Sequence, residues 1–194
     1  MTTISAQTEY TPEEVARLSD ETGKLYELVD GALVEKVVIS QRSIWVATQL
    51  SFRLNTAYDL TKAYVFVEQP TYCFGNPRQM RRPDVALVWA NRLSAGLSDE
   101  DLHIPPDFIA EVVSPTNTFD QQVGRVAEYL EAGVPLVWVV QPARRWIHVY
   151  RQDGSVALLR AKDTVRDEPL LPGFVLNVAD IFPPSSPPVA ANPV

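Results

Sequence analysis

Phe108-Ile109-Ala110-Glu111-Val112-Val113, halted by Ser114-Pro115, is the stretch on which the fold turns. A nearly continuous apolar run of this length is the pattern of a strand covered on both faces, and one charge, Glu111, interrupts it. Thr118 and Gln121 then form a capping box for a helix that reaches Gly133, its C-terminal stop, with Val123, Val126, Ala127 and Leu130 as a core stripe. Residues 136–140 read as a second buried strand. Strand, helix, strand over 107–141 implies a parallel crossover.

The flanking chain extends this unit. Upstream, Val85-Ala86-Leu87-Val88-Trp89 is a strand opened by Arg81-Arg82-Pro83-Asp84, and 64–67 and 71–74 read as two strands joined around Pro70, the second closed by Gly75-Asn76-Pro77. Ile44, Ala47, Leu50, Leu54 and Ala57 recur at three- and four-residue spacings, which predicts an amphipathic helix over 40–58. Before it, Asp30-Gly31 separates the apolar runs 25–29 and 32–38, the signature of a two-residue hairpin. That turn pairs Val29 with Ala32 and Glu27 with Val34, so Glu27 and Glu35 point to opposite faces. Thr11-Pro12-Glu13-Glu14 caps a short first helix.

Downstream, 146–150, 155–160 and 165–166 read as a meander turned at Gln152-Asp153-Gly154. Pro172-Gly173-Phe174 leads to a last short strand and a closing turn near Ile181. Residues 91–106 form a polar, Pro-flanked loop with room for one helical turn, and no internal repeat is present. The fold class expected is α/β, a mixed central β-sheet with flanking helices. The chain divides into an N-terminal helical segment (1–20), one domain (21–182) and a tail (183–194) in which five of twelve residues are proline, a composition that stays extended or disordered.

Composition narrows the function. At 194 residues, 46% apolar and 21% charged, the chain can bury a sizeable core without metal or disulfide staples. Its single Cys73 cannot form an internal bridge and points to a reducing, cytoplasmic setting. The longest apolar run, 134–140, is far short of the roughly 20 residues of a helical membrane span, and the first ten residues have no secretion-signal pattern. With 17 basic against 24 acidic residues, the net charge of −7 argues against a protein that coats nucleic acid by counterion release. A Gly-rich phosphate loop, a GxSxG elbow and a CxxC pair are all absent, and two histidines, His103 and His148, cannot build a His-rich zinc site. Both read as structural, as does Cys73.

What remains is acid in apolar company. Glu111 interrupts one strand, Asp84 opens another directly after Pro83, and Glu27 lies within a third. An ionised carboxylate inside a sheet costs several kcal/mol unless it meets a cation, a donor network or the open end of the sheet. Taken singly, each could stand at a strand end in water or pair with a nearby arginine. Taken together, three carboxylates on three strands could converge on one divalent metal, and hard oxygen ligands favour Mg²⁺ or Mn²⁺.

Arg82-Pro83-Asp84-Val85, followed by Ile109-Ala110-Glu111-Val112-Val113-Ser114-Pro115, resembles the Uma-two family of endonucleases, a branch of the PD-(D/E)XK restriction-endonuclease-like superfamily. Tyr26-Glu27-Leu28-Val29-Asp30-Gly31, Asp120, Tyr129, Gly133-Val134, Trp138-Val139-Val140 and Pro142 extend the likeness over residues 25–150. The resemblance implies a restriction-endonuclease-like mixed sheet and Mg²⁺-dependent (or Mn²⁺-dependent) hydrolysis of DNA phosphodiesters. Asp84 and Glu111 would hold the metal, the backbone carbonyl of Val112 would be a further ligand, and Glu27 would complete the acidic set. The superfamily lysine two residues after the second acid is Val113 here. Its counterpart on the following helix is Arg125, which can stabilise phosphate charge but, with a pKa above about 12, cannot act as a general base. A histidine that often starts the long helix is replaced by Ser43, and an Asp near the end of the last buried strand by Gln141.

Two readings follow. The first is a metal-dependent DNA endonuclease acting through Glu27, Asp84, Glu111 and Arg125. The alternative is a catalytically impaired relative that serves as a binding or dimerisation module. Relatives in the superfamily often pair, which implies a homodimer. Arg78, Arg81, Arg82, Arg144 and Arg145 could form a cationic rim for a phosphate backbone, while Trp138 and Trp146 read as core rather than as base-stacking platforms.

Overall fold

The computed structural model describes residues 10–36, 40–72, 74–93, 95–114 and 118–184. The elements in chain order are α1 (Pro12–Thr22), β1 (Tyr26–Val29), β2 (Ala32–Glu35), α2 (Gln41–Ala57), β3 (Ala63–Phe66), β4 (Val85–Trp89), β5 (Phe108–Val112), α3 (Phe119–Glu131), β6 (Leu136–Gln141), β7 (Trp146–Arg151), β8 (Val156–Arg160), β9 (Thr164–Val165) and β10 (Leu176–Asn177). Short 3₁₀ turns cover Ala90–Arg92, in the loop that has room for one, and Val178–Ile181, at the closing turn. Among the described residues no helix is long and apolar enough to cross a membrane.

Local signals set the boundaries. Thr11 and Thr118 each accept from the backbone N–H three residues on, and Glu14 and Gln121 reach back to complete both capping boxes. Ser40 caps α2. α3 stops at Glu131, short of Gly133, whose φ of +95° turns the chain toward β6. The Asp30-Gly31 hairpin has the expected register, Val29 opposite Ala32 and Glu27 opposite Val34.

The main sheet runs β3-β4-β5-β6-β7-β8, with β5 and β6 parallel and every other neighbouring pair antiparallel. The sheet is therefore mixed, and the β5-α3-β6 passage is the parallel crossover. Alternation along the strands feeds two cores. Val85, Leu87, Phe108, Ala110, Trp138 and Val140 pack under Val46, Leu50 and Leu54 of α2. Ala86, Ile109, Val137 and Val139 point the other way, beneath Val126 and Tyr129 of α3. Because both faces are covered, β4 to β6 read as almost wholly apolar runs, with Glu111 the one charge within them. Glu111 falls on the α3 face by the same alternation, since Ala110 and Val112 face α2.

Two strand expectations are corrected. Residues 71–74 form no ladder among the described residues, and Cys73 lies outside them. Thr71 exchanges bonds with Arg81, but the next N–H, from Tyr72, goes to Leu102, so the pairing changes partner after one residue and cannot propagate. The 165–166 strand is Thr164–Val165, and it pairs with Leu176–Asn177 instead of continuing the meander. A turn in which Asp163 bonds back to Arg160 carries the chain off the edge of β8. The segments 1–9, 37–39, 115–117 and 185–194, and with them most of the Pro-rich tail, also lie outside the described residues.

Candidate functional site

The hairpin, the strand pair β4-β5 and helix α3 enclose a cleft of about 920 Å³ whose lining includes Glu27, Lys36, Glu68, Asp84, Glu111 and Arg125. Asp84 precedes β4. The register Val85 opposite Ala110 continues to Asp84 opposite Glu111, which sets both carboxylates on the α3 face as cross-strand neighbours. Asp84 Oδ2 accepts the Val112 N–H at 2.5 Å, so the first acid is bonded to the strand carrying the second.

Glu27 is buried at the centre. Its Oε1 accepts from Arg125 Nη1 at 2.8 Å and from the Arg82 N–H at 3.1 Å, and its Oε2 from Arg125 Nη2 at 2.8 Å and Arg81 Nη1 at 3.1 Å. Burial works against its charge, but Arg125, Arg81 and Lys36 overcome that and hold its pKa below the ordinary value. Glu111 sits in a different balance. Its Oε1 accepts from the Tyr129 hydroxyl at 2.5 Å and from Arg125 Nη1 at 3.3 Å. Burial, opposed by Arg125 but reinforced by the charge of Asp84, leaves its pKa raised. Tyr129 is pushed well above its usual value by burial and by Glu111, so it stays protonated and donates.

The structure thus brings Glu27, Asp84, Glu111 and Arg125 into one cleft, with different partners. Arg125 is the hinge between two acids: its fork grips Glu27, the same Nη1 reaches Glu111, and a quarter of the side chain faces solvent. Both oxygens of Glu27 are already taken by donors, which suits it to orienting guanidinium groups. Among the described residues, no three His, Cys, Asp or Glu side chains gather as a group able to hold a metal. Asp84 and Glu111 offer a pair of hard carboxylates on one face, the donor chemistry a Mg²⁺-like ion takes from a protein, with waters and substrate supplying the rest.

Sequence reasoning missed two residues of the cleft. Lys36 directs its ammonium to Asp84 Oδ1 at 2.8 Å, lies 2.7 Å from Glu68 Oε2 and also donates to the Arg82 carbonyl. The signal was in the hairpin: Lys36 N–H bonds to the Leu25 carbonyl, two positions beyond the Glu27–Val34 pair, so alternation puts Lys36 on the Glu27 face. Glu68 follows β3, in a left-handed backbone conformation (φ +55°) fixed by its N–H to the Pro83 carbonyl and by Arg82 Nη1 on its own carbonyl. No periodicity marks it. Burial, opposed by Lys36 and reinforced by Asp84 and Glu111, pushes its pKa up to about 7.

The arginine rim takes another form. Arg81 and Arg82 turn inward: Arg81 bonds Glu27 and both oxygens of Glu128, and Arg82 bonds the carbonyls of Tyr26 and Glu68. Arg78 reaches the Asp30 carbonyl across the hairpin turn, packed so tightly against Gly31 (φ +84°) that a Cβ there would lie 2.8 Å from its guanidinium. Trp138 is core as expected, whereas Trp146 is half-buried with the Arg144 and Arg160 guanidiniums 5.2 and 6.0 Å from its ring. His103 stacks on Tyr72, and His148 lies between Trp146 and Tyr150.

Comparison with known proteins agrees with this architecture. One solved structure, a putative nuclease belonging to DUF820 from Anabaena variabilis ATCC 29413, superposes with a TM-score of 0.76 at 20% identity, covering 89% of this chain and 97% of that one. At that identity the likeness establishes the fold, a restriction-endonuclease-like α/β sheet. No curated protein matches the chain. The family model Uma2, described as "Putative restriction endonuclease", matches residues 12–179, which include both strands of the acid pair, the hairpin and α3, and the chain therefore belongs to the Uma2 family.

Proposed function

We propose that this protein is a divalent-metal-dependent endonuclease that hydrolyses phosphodiester bonds in DNA, with Asp84, Glu111 and the Val112 carbonyl holding Mg²⁺ or Mn²⁺. The observation that carries the reading is the cross-strand pair Asp84 and Glu111 on one face of the sheet, at the wall of an open cleft and within reach of the Arg125 guanidinium. Family membership supports the reaction class. A divalent ion bound there supplies Lewis-acid polarisation of the phosphate and a water of lowered pKa.

The chain's own residues do the rest. Arg125, a quarter of whose side chain faces solvent, offers its positive charge to the charge that develops on phosphate, and its position is fixed because Glu27 holds both terminal nitrogens. Glu27 therefore acts as the acid that orients Arg125. Tyr129 fixes Glu111 through its hydroxyl. Arg125 stays charged at every working pH and does not take a proton from water.

The test is conversion of supercoiled plasmid to nicked circles with Mg²⁺ or Mn²⁺. Asp84→Asn and Glu111→Gln should each lower the rate by about 10²-fold or more. Cleavage that persists unchanged in both variants overturns the reading. The same proposal includes a cytoplasmic setting, supported by the single cysteine, and a homodimer, supported by Ile44, Trp45 and Phe52 exposed within about 100° of arc on α2. Sedimentation showing a monomer at micromolar concentration removes the dimer. One observation favours the alternative of a non-catalytic binding or dimerisation module: Asp84, Glu68, Glu27 and Glu111 are each paired with a side-chain cation of the protein. A folded protein with no metal-stimulated nicking and an intact dimer selects it.

A further inference from the structure

Lys36 carries an inference of its own. An ammonium has three N–H bonds and no acceptor; Lys36 donates to Asp84 Oδ1 and to the Arg82 carbonyl, and its charge lies 2.7 Å from Glu68 Oε2, a buried oxygen that receives no hydrogen bond among the described residues. Two carboxylates and a backbone carbonyl are also the oxygen types a hard divalent cation takes from a protein. The partners are positioned by contacts other than the lysine. Asp84 is tied to β5 by the Val112 N–H, and Glu68 is held over Pro83 by its own N–H and by Arg82. A left-handed backbone at Glu68 is a strain that persists only where the surroundings over-determine it. The side chain of Lys36 is 13% exposed, so its long stem has an opening to water at the cleft.

We propose that Lys36 is a tethered cation that competes with the divalent ion: ammonium and metal are alternative occupants of Asp84 Oδ1, and Glu68 becomes available to the ion when the lysine withdraws. The inference rests on the reading of Asp84 as a metal-holding residue. Two cations sharing one carboxylate oxygen in a partly desolvated cleft repel strongly, so simultaneous occupancy is disfavoured. The tether keeps the ammonium at a high effective concentration, and the ion's apparent affinity falls by the fraction of molecules in which the lysine is withdrawn. Wild-type protein thus binds the ion weakly, and Lys36 protects the acids from one another while the ion is absent.

The experiment titrates Mn²⁺ into the full chain and follows free Mn²⁺ by electron paramagnetic resonance. Lys36→Met should tighten Mn²⁺ binding by about tenfold or more, and the double variant Lys36→Met with Asp84→Asn should lose that gain. Binding to Lys36→Met no tighter than to wild type, or no binding by either protein, overturns the inference. Should Lys36→Met fail to fold, the wild type decides alone. The chain has four lysines, Lys24, Lys36, Lys62 and Lys162, so amine labelling read by peptide mass spectrometry resolves each. Saturating Mg²⁺ should raise labelling of Lys36 several-fold relative to the exposed Lys62 and Lys162, and an unchanged ratio refutes the competition. Competitive Mn²⁺ binding without DNA cleavage sinks the nuclease reading and leaves the lysine competition standing. Cleavage with Mn²⁺ affinity indifferent to Lys36 does the reverse.

Discussion

Glu27 and Glu68 stand in one cleft, and their surroundings differ in kind. Glu27 receives two guanidinium groups and a backbone N–H, and its pKa falls despite burial. Glu68 meets one ammonium, which Asp84 also claims, and its pKa rises to about 7. The difference is one of supply: where arginines outnumber the acid, the carboxylate is a structural anchor, and where acids outnumber the cation, charge is left over. Catalytic and ion-binding chemistry draws on the second kind of place, because an added cation there relieves repulsion already present. The Glu27 end is a scaffold for Arg125, and the Asp84, Glu68 and Glu111 end is where a ligand gains most.

The largest expected effect comes from breaking the anchored end. Glu27→Gln leaves Arg81 and Arg125 charged and short of their partner, and a buried pair broken on one side costs about 3–5 kcal/mol. Urea unfolding should show that loss with an unchanged m-value, a large share of the roughly 5–15 kcal/mol of a typical domain. Because the Glu27 pKa is depressed, its contribution is present above the ordinary value of 4.5 and fades as pH falls through the depressed one. A loss under about 1 kcal/mol would mean that the two guanidiniums are held by Glu128 and solvent instead.

The frustrated end responds with the opposite sign. The folded-state pKa of Glu68 lies above its ordinary 4.5, so folding disfavours its charged form, and the penalty grows from pH 4.5 to about 7 and is complete above that. Glu68→Gln removes the charge and leaves Lys36 bonded to Asp84 and the Arg82 carbonyl. Above pH 7 the variant should be more stable than wild type by about 1–2 kcal/mol, and the two should converge below pH 4.5. Thermal melts across that range check it. A variant less stable at pH 8 would show that Glu68 is needed to hold Lys36, which would make the two ends alike.

What the sequence disclosed, and what it hid, follows the same division. The β5-α3-β6 crossover, both capping boxes and the Asp30-Gly31 register are local patterns with one physical solution each, and they appear in the structure as expected. Asp84 and Glu111 stood out because a charge inside an apolar strand demands a partner. Lys36 was hidden because a lysine at the end of a hairpin normally points into solvent, and only the cross-strand alternation reveals its face. Glu68 depends on a left-handed residue and on a contact with Pro83, fifteen positions away, which no periodicity encodes. Arg81 and Arg82 look like surface charge in the sequence; the structure draws Arg81 inward because buried Glu27 and half-buried Glu128 require a cation, and Arg82 inward onto the carbonyls of Tyr26 and Glu68.

The smallest effect tests the register from which the comparison begins. Glu35 sits one residue before Lys36, yet alternation turns it to the opposite face, where it pairs with Lys24 at 2.8 Å with about half of each side chain in water. Exposed pairs of this kind gain little, because water screens the attraction and two long side chains must be ordered to make it. Glu35→Gln should therefore leave the melting midpoint unmoved within error and leave the urea midpoint at its wild-type value. Glu27→Gln, eight positions earlier on the paired strand, should shift both. The contrast depends on geometry alone, since the two residues are chemically identical and share one hairpin. If Glu35→Gln proves as costly as Glu27→Gln, the hairpin is paired one residue out of register, and Lys36 would then face away from Asp84.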